Sequence, residues 1–214
     1  MRKKPIPVLI IDDHAIVREG LKRILADTDD IVVAGEGENG LEAIRLAREG
    51  NGKVMLLDIT MPDRNGIDVL KQIHREVPQL AVLILTMHRE DQYAVRSMKA
   101  GAVGYLNKQS ASTELVKAIR EVSAGRKYIS TELAQILAAH ITEDTQRAPH
   151  ETLSDREFQT LLLIASGKSV TDIAAELALS VKTVSEYRSR ILSKMGMKNN
   201  SELMHYAITH KLGE

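Results

Sequence analysis

Short apolar runs alternate with helical patterns along the first half of the chain. The runs span residues 8–11, 31–34, 54–57, 81–85 and 102–106, and the helical patterns span 15–27, 39–49, 66–76, 90–100 and 111–124. Wholly apolar runs of this length are typical of strands that are buried on both faces of a parallel sheet. The alternation therefore predicts an α/β domain over residues 1–125, in which five parallel strands form a doubly wound sheet.

The connections between these elements fix the expected order of the strands. Right-handed crossovers favour the flavodoxin-like order 2-1-3-4-5, which places the first and third strands side by side. The carboxyl ends of the strands form the edge at which open α/β sheets bind ligands. Residues that directly follow the strands are therefore the first candidates for chemistry.

Strand patterns disappear in the remainder of the chain. A helical pattern at 130–141 and a polar stretch at 142–150 make residues 126–150 a predicted helix and linker. Ser154 and Glu157 form a capping-box motif ahead of an apolar run, and further helical patterns follow at 170–177, 181–195 and 201–210. Residues 151–214 therefore predict an all-α domain of four helices with a helix-turn-helix at its centre.

Composition narrows the class of protein. Hydrophobic residues make up 43% of the 214 residues, enough for two folded cores, and there is no cysteine for disulfides or for cysteine-ligated zinc. No apolar segment reaches the roughly 18 residues that a membrane span requires, and the basic N-terminus lacks a signal-peptide core. We therefore expect a soluble cytoplasmic protein without a membrane partner.

Three aspartates follow two of the predicted strands. Asp12 and Asp13 come after the first strand and Asp58 after the third, so the expected strand order brings them together. Asp12 and Asp13 alone could equally cap a helix, but with Asp58 they form a carboxylate cluster that needs a cation. Such oxygens suit Mg²⁺. We expect the ion to be bound by Asp13 and Asp58, by Asp12 mostly through water, and by the Thr60 carbonyl. His14 is expected to be a surface residue.

Two more polar residues follow the fourth and fifth strands. Thr86 and Lys108 place a hydroxyl and an ammonium at the same edge as Asp58. An aspartate nucleophile in this setting can accept a phosphoryl group, whose charge Mg²⁺ and Lys108 would offset. The phosphate would draw Thr86 inward, and Tyr105 would fill the space that Thr86 leaves. Tyr105 could equally be an ordinary amphipathic residue.

These residues resemble the receiver domain of bacterial two-component response regulators. The resemblance implies that Asp58 is the phosphoacceptor and that Mg²⁺ is the cofactor. Gln109 stands where many receivers have a proline, which concerns the local peptide geometry rather than phosphorylation. The motifs that carry the resemblance are Asp12-Asp13, Asp58 with Met61-Pro62, Gly66, Thr86, and Tyr105 with Lys108.

The C-terminal part resembles the LuxR-type helix-turn-helix domain of the NarL/FixJ class. The matching segments are residues 153–157, 165–169, 172–174 and 179–184, and the pattern continues through Arg188, Ile191, Lys194 and Met195. The resemblance implies that residues 181–195 form a recognition helix. Of the two grooves of DNA, only the major groove is wide enough to admit a helix.

The recognition segment carries an excess of positive charge. Residues 182–198 hold five basic side chains and one acidic side chain, so five minus one leaves an excess of four. Val184, Ile191 and Met195 recur at helical spacing and should face the domain core. A basic residue often stands in the family where this chain has Ser185, so the operator sequence does not follow from the resemblance. The DNA-binding candidates are Lys182, Thr183, Ser185, Glu186, Tyr187, Arg188, Ser189, Arg190 and Lys194.

Together the two resemblances imply a DNA-binding transcriptional response regulator. A histidine kinase would phosphorylate Asp58, and the phosphorylated protein would form a homodimer on double-stranded DNA, with RNA polymerase as a further candidate partner. The alternative from another class is a Mg²⁺-dependent phosphatase of the haloacid dehalogenase type, but such enzymes have a second acid where Thr60 stands. A third interpretation is a receiver that is never phosphorylated and acts only as a dimerisation module.

Overall fold

The chain folds into two compact units, Met1–Ala139 and His140–Glu214. The computed structural model describes residues 4–87, 90–142, 148–210 and Leu212. Each unit has its own set of buried aliphatic side chains. Among the described residues, no helix combines the length and the apolar character that crossing a membrane requires.

The first unit is a five-stranded sheet with helices between its strands. The strands are β1 (Ile6–Ile11), β2 (Ile31–Gly37), β3 (Val54–Leu57), β4 (Ala81–Thr86) and β5 (Gly104–Asn107). The helices are α1 (Ala15–Ala26), α2 (Gly40–Glu49), α3 (Gly66–Glu76), α4 (Glu90–Lys99) and α5 (Ala111–Ser123). A further helix, α6 (Thr131–Thr142), begins in this unit and its last three residues belong to the second. All strand pairs are parallel and the order is β2-β1-β3-β4-β5, which confirms the predicted fold class and strand order.

The position of each strand in the sheet explains its sequence pattern. Every residue of the central strand β3 is buried, because helices cover both of its faces. The edge strand β2 instead alternates exposed residues with less exposed ones, and it continues to Gly37 beyond its apolar run. The last strand starts later than its apolar run predicts, because the Ala102 amide bonds to the Ser97 carbonyl and closes the end of α4.

The second unit is all-helical. It contains a 3-10 helix (Pro149–Thr152), α7 (Asp155–Ala165), α8 (Val170–Glu176), α9 (Val181–Met195) and α10 (Asn200–Thr209). Residues 143–147 of the predicted linker lie outside the described residues. His150, at the predicted end of the linker, belongs to the folded unit, because its Nδ1 lies 2.8 Å from the Tyr206 hydroxyl.

Local capping sets the boundaries of the recognition segment. The Ser154–Glu157 capping box is present at the start of α7, as predicted. At the start of α9, the Ser180 side chain accepts a hydrogen bond from the Thr183 amide. The same helix ends at Gly196, whose φ of 66° lies in the left-handed region that glycine adopts without strain. The helix therefore begins and ends at residues 181 and 195, the bounds that the sequence predicts.

Candidate functional site

Hydrogen bonds between neighbouring strand ends bring the predicted chemical residues of the first unit to one edge. The Asp58 amide donates to the Ile11 carbonyl at 3.0 Å, so Asp58 starts beside the end of β1. The Lys108 amide donates to the Thr86 carbonyl at 2.8 Å, which ties the ends of β4 and β5 in the same way. The carboxylates, the hydroxyl and the ammonium therefore share the carboxyl edge of the sheet.

Lys108 joins two of the three aspartates. Its Nζ lies 2.6 Å from Asp12 Oδ2 and 2.6 Å from Asp58 Oδ2. The side chains of Asp12 and Asp58 are only 2% and 4% exposed, so solvent screens these charges weakly. The attraction between Lys108 and the two carboxylates is therefore stronger than that of a pair on the protein surface.

Burial and ion pairing have opposite effects on the pKa values of this cluster. Burial raises the pKa of the Asp58 carboxyl, because the charged form loses its hydration, and the charge of Lys108 opposes that rise without cancelling it. Burial lowers the pKa of the Lys108 ammonium, but the attraction of Asp58 and Asp12 more than offsets this, so that pKa is raised. Lys108 therefore supplies positive charge beside the Asp58 carboxylate, and a bound divalent cation would offset more of the cost of burying that charge.

The donor set fits a hard divalent cation. One ligand atom each from Asp12, Asp13, His14 and Asp58 lies within 4.8 Å of all the others. His14 Nδ1 is 2.8 Å from Asp13 Oδ1 in an orientation that makes no hydrogen bond, so this buried oxygen accepts none within the described part of the chain. An acceptor in that position is available to a metal, and three carboxylates suit Mg²⁺. The His14 imidazole is exposed, as predicted for a surface residue, and it lies beside Asp12 and Asp13.

The loop after Asp58 is fixed at several points. Asp58 Oδ1 accepts hydrogen bonds from the Ile59 amide at 2.7 Å and the Thr60 amide at 3.4 Å. The Asp63 carboxylate accepts from the Gly40 and Leu41 amides at 2.8 and 3.0 Å, so it caps α2 from across the chain. These bonds hold the segment that carries the Thr60 carbonyl.

Thr86 and Tyr105 are both enclosed. Thr86 is 1% exposed and Tyr105 is 0% exposed. Tyr105 was expected to move inward after Thr86, but its side chain already lies inside the protein in this structure. An outward position of Tyr105 would have to belong to another state of the receiver.

Asp63 and Arg18 escaped the sequence analysis although both support the site. The Arg18 guanidinium donates from Nη1 to the Asp12 carbonyl at 2.6 Å. Neither contact follows a short-range spacing rule, because the partners of Asp63 lie 22 and 23 residues away and Arg18 reaches back along α1 to the preceding turn. For Asp63, its place in the strand-to-helix loop after Asp58 was the available signal.

In the second unit, α9 buries one face and exposes the other. Val184, Ile191 and Met195 are buried, which confirms the predicted core face. The opposite face carries the exposed candidates Lys182, Ser185, Glu186, Ser189 and Arg190. The helix therefore presents a polar surface on which basic residues outnumber acidic ones, of the kind that enters a DNA groove.

Two basic candidates on α9 have partners on other elements of the unit. Lys194 Nζ donates to Glu157 Oε2 at 2.6 Å, and Glu157 is itself buried. Arg188 Nε donates to Asn200 Oδ1 at 2.5 Å, which links α9 to the start of α10. These contacts place Lys194 and Arg188 at the rim of the exposed surface, where part of their hydrogen bonding is internal.

The Glu157 contact predicts an acid-sensitive second unit. Burial raises the pKa of the Glu157 carboxyl, but hydrogen bonds from Lys194 and Ser154 outweigh burial and hold that pKa below its usual range. A lowered pKa stabilises the fold above the ordinary glutamate pKa, and this stabilisation is lost as the pH falls through the lowered value. Glu157→Gln should lower the free energy of unfolding by about 1–3 kcal/mol at neutral pH and flatten its dependence on pH in the acid range.

Equilibrium unfolding of both proteins between neutral and acid pH checks this prediction. Glu151→Gln, within the same unit's 3-10 helix, is the control and should keep the wild-type slope. Equal slopes for wild type and Glu157→Gln would contradict the assignment of acid sensitivity to this carboxylate.

Two family models match the chain, one in each unit. The model for the response regulator receiver domain matches residues 8–120. The model for the luxR family of bacterial regulatory proteins matches residues 151–207. The first match contains Asp12, Asp13, Asp58, Thr86 and Lys108, and the second contains the whole of α9.

Full-length relatives share both parts in the same order. The chain is 40% identical to the response regulator UvrY of Escherichia coli over 208 residues, which covers 97% of this chain and 95% of the relative. It is also 40% identical to the response regulator GacA of Pseudomonas aeruginosa over 206 residues, covering 96% of each. RcsB from Salmonella enterica serovar Typhimurium, solved bound to promoter P1flhDC in the presence of the phosphomimetic BeF3-, is 29% identical with a TM-score of 0.66. That likeness covers 96% of this chain and all of RcsB, at 100%.

Proposed function

Because this chain belongs to the two-component response regulators that join a receiver domain to a LuxR-type DNA-binding domain, we propose that phosphorylation of Asp58 controls its binding to DNA. Membership of this family makes the chain a DNA-binding regulator of transcription rather than an enzyme, which removes the phosphatase alternative. The contact that supports the proposal most directly is the 2.6 Å pair between Lys108 Nζ and Asp58 Oδ2. The Lys108 ammonium offsets the cost of burying the charged form of the Asp58 carboxylate.

Phosphoryl transfer to Asp58 is a displacement at phosphorus. The donor is a histidine kinase, and a carboxylate oxygen of Asp58 forms the new bond to phosphorus. The bond from phosphorus to the kinase imidazole nitrogen breaks, and its electron pair returns to that nitrogen. A bound Mg²⁺ would supply positive charge for the transferring oxygens. Asp13 and Asp58 would hold it, together with the Thr60 carbonyl and, through water, Asp12.

The residues around Asp58 then sense the new charge. A phosphoryl group adds nearly two negative charges and strong acceptor oxygens. Lys108 is already within reach of the acceptor carboxylate, and it would stay as the counter-charge of the phosphate. The Thr86 hydroxyl, buried at the same edge, would donate to a phosphate oxygen and bias β4 and β5 toward a second arrangement.

DNA binding is assigned to the exposed face of α9. Lys182, Arg188, Arg190 and Lys194 are proposed to contact phosphates, whereas Ser185, Glu186 and Ser189 are proposed to face base edges. Thr183 and Tyr187 lie between these groups and complete the interface. The phosphorylated chain is proposed to act as a homodimer on double-stranded DNA, in the cytoplasm and with RNA polymerase as a further partner.

The test uses the full chain, a small acyl phosphate as phosphodonor and Mg²⁺. Bound genomic DNA is sequenced with and without the phosphodonor, and affinity for the recovered site is then measured at fixed salt. We expect one covalent phosphoryl group per chain and a tighter complex after phosphorylation. Equal affinities for the phosphorylated and unphosphorylated protein would refute the control of DNA binding, and would favour a receiver that acts only as a dimerisation module.

A further inference from the structure

Arg18 braces the turn that carries the two adjacent acids. Its Nη1 donates to the Asp12 carbonyl at 2.6 Å, and its Nε lies 3.5 Å from Glu36 Oε2 near the end of β2. The Arg18 side chain is only 15% exposed, so the guanidinium is held in this position rather than extended into solvent. A single side chain thereby links α1, the acidic turn and the edge strand.

The carbonyl that Arg18 holds belongs to the peptide between Asp12 and Asp13. Rotation of this peptide would change the direction of the Asp13 carboxylate relative to that of Asp12. On the other side of the turn, the Asp12 amide bonds to the Gly37 carbonyl at 3.1 Å and the His14 amide to Asp12 Oδ1 at 2.9 Å. The Arg18 contact fixes the Asp12 carbonyl as well, so the backbone on both sides of Asp12 is held.

Glu36 fixes Arg18 in turn. Lys22 Nζ lies 3.1 Å from Glu36 Oε1 and 2.5 Å from Glu19 Oε1, so the acceptor of the Arg18 guanidinium is itself part of an ion-pair network. A planar guanidinium can serve the Asp12 carbonyl and the Glu36 carboxylate together, whereas an ammonium serves one geometry less rigidly. The network therefore favours arginine over lysine at position 18.

We propose that Arg18 is a positioning residue for the metal site, which orients the Asp12–Asp13 peptide so that both carboxylates point at one cation. This inference rests on the proposed function of the acidic cluster. The proposal predicts that removing Arg18 weakens cation binding, which is the opposite of what simple electrostatics predicts. Removing a positive side chain near a cation site should strengthen cation binding if charge alone matters. Losing an outer contact that orients the ligands weakens metal binding, typically by about 10-fold to 100-fold.

Calorimetric titration of Mg²⁺ into the full chain distinguishes these effects. We expect Arg18→Met to weaken Mg²⁺ binding by about 10-fold and Arg18→Lys to fall between wild type and Arg18→Met. Arg45→Met is the matched control, because Arg45 pairs with Glu49 on the surface of α2, and it should bind Mg²⁺ like the wild type. Unchanged or tighter binding by Arg18→Met would overturn the proposal.

A second readout needs no metal. In metal-free protein, hydrogen exchange of the His14 amide, which donates to Asp12 Oδ1, should be several-fold faster in Arg18→Met than in wild type. Wild type that binds no Mg²⁺ would refute the proposed metal site, and the exchange rates would still show whether Arg18 holds the turn. Identical His14 exchange in both proteins would overturn the role of Arg18.

Discussion

Asp58→Asn should abolish phosphorylation while leaving the receiver folded. The amide lacks the anionic oxygen that must attack phosphorus, so no covalent phosphoryl group should appear after incubation with the phosphodonor and Mg²⁺. The fold should tolerate the change, because it removes a buried charge whose pKa is raised mainly by burial. Lys108 also keeps its 2.6 Å contact with Asp12 Oδ2. We therefore expect loss of labelling without loss of thermal stability.

Intact-mass measurement of the full chain gives the number of phosphoryl groups directly. Asp68→Asn, at an exposed position on α3, is the matched control and should accept one phosphoryl group at the wild-type rate. DNA affinity is measured on the same samples, and that of Asp58→Asn should not respond to the phosphodonor. A stable phosphoryl group on the Asp58→Asn protein would move the acceptor to another residue, and the proposed site would be wrong.

The central strands could be predicted because burial on both faces leaves a signal in the sequence itself. The apolar run at 54–57 became β3 without a change of bounds. Elements at the rim were less predictable, because their limits depend on partners that are distant in sequence. The end of β2 at Gly37 follows from pairing with Ile11, and the start of β5 follows from the Ala102 hydrogen bond to α4.

The candidate site also contains residues whose positions could be predicted and residues whose positions could not. The convergence of Asp12, Asp58 and Lys108 could be predicted, because all three directly follow strands whose order the crossover rule fixes. The enclosed position of Tyr105 could not, since a tyrosine is compatible with both an inward and an outward side chain. The contacts of Arg18 and Asp63 could not either, because each joins residues whose proximity exists only after the chain has folded.

Gly66→Ala should lower the stability of the receiver, whereas the same change at Gly20 should not. A Cβ at position 66 would lie 2.1 Å from the Asp58 carbonyl oxygen and 2.7 Å from Ile59 Cα. Both contacts are with backbone, which cannot move aside as the end of a flexible side chain can. The backbone of the phosphoacceptor itself would have to shift, and the Gly66 amide would lose its 2.8 Å bond to the Ile59 carbonyl.

Overpacking of this kind costs about 1–3 kcal/mol in free energy of unfolding, and we expect slower phosphorylation in the molecules that remain folded. Gly20→Ala is the control with the opposite sign, because nothing lies within 4 Å of a Cβ at that position of α1. That change should stabilise the receiver by roughly 0.5–1 kcal/mol through helix propensity. Hydrogen exchange of the β1 and β3 amides measures both effects within the first unit alone. Equal protection in Gly66→Ala and wild type would mean that α3 can move away from Asp58, and the tight packing inferred for this edge would be wrong.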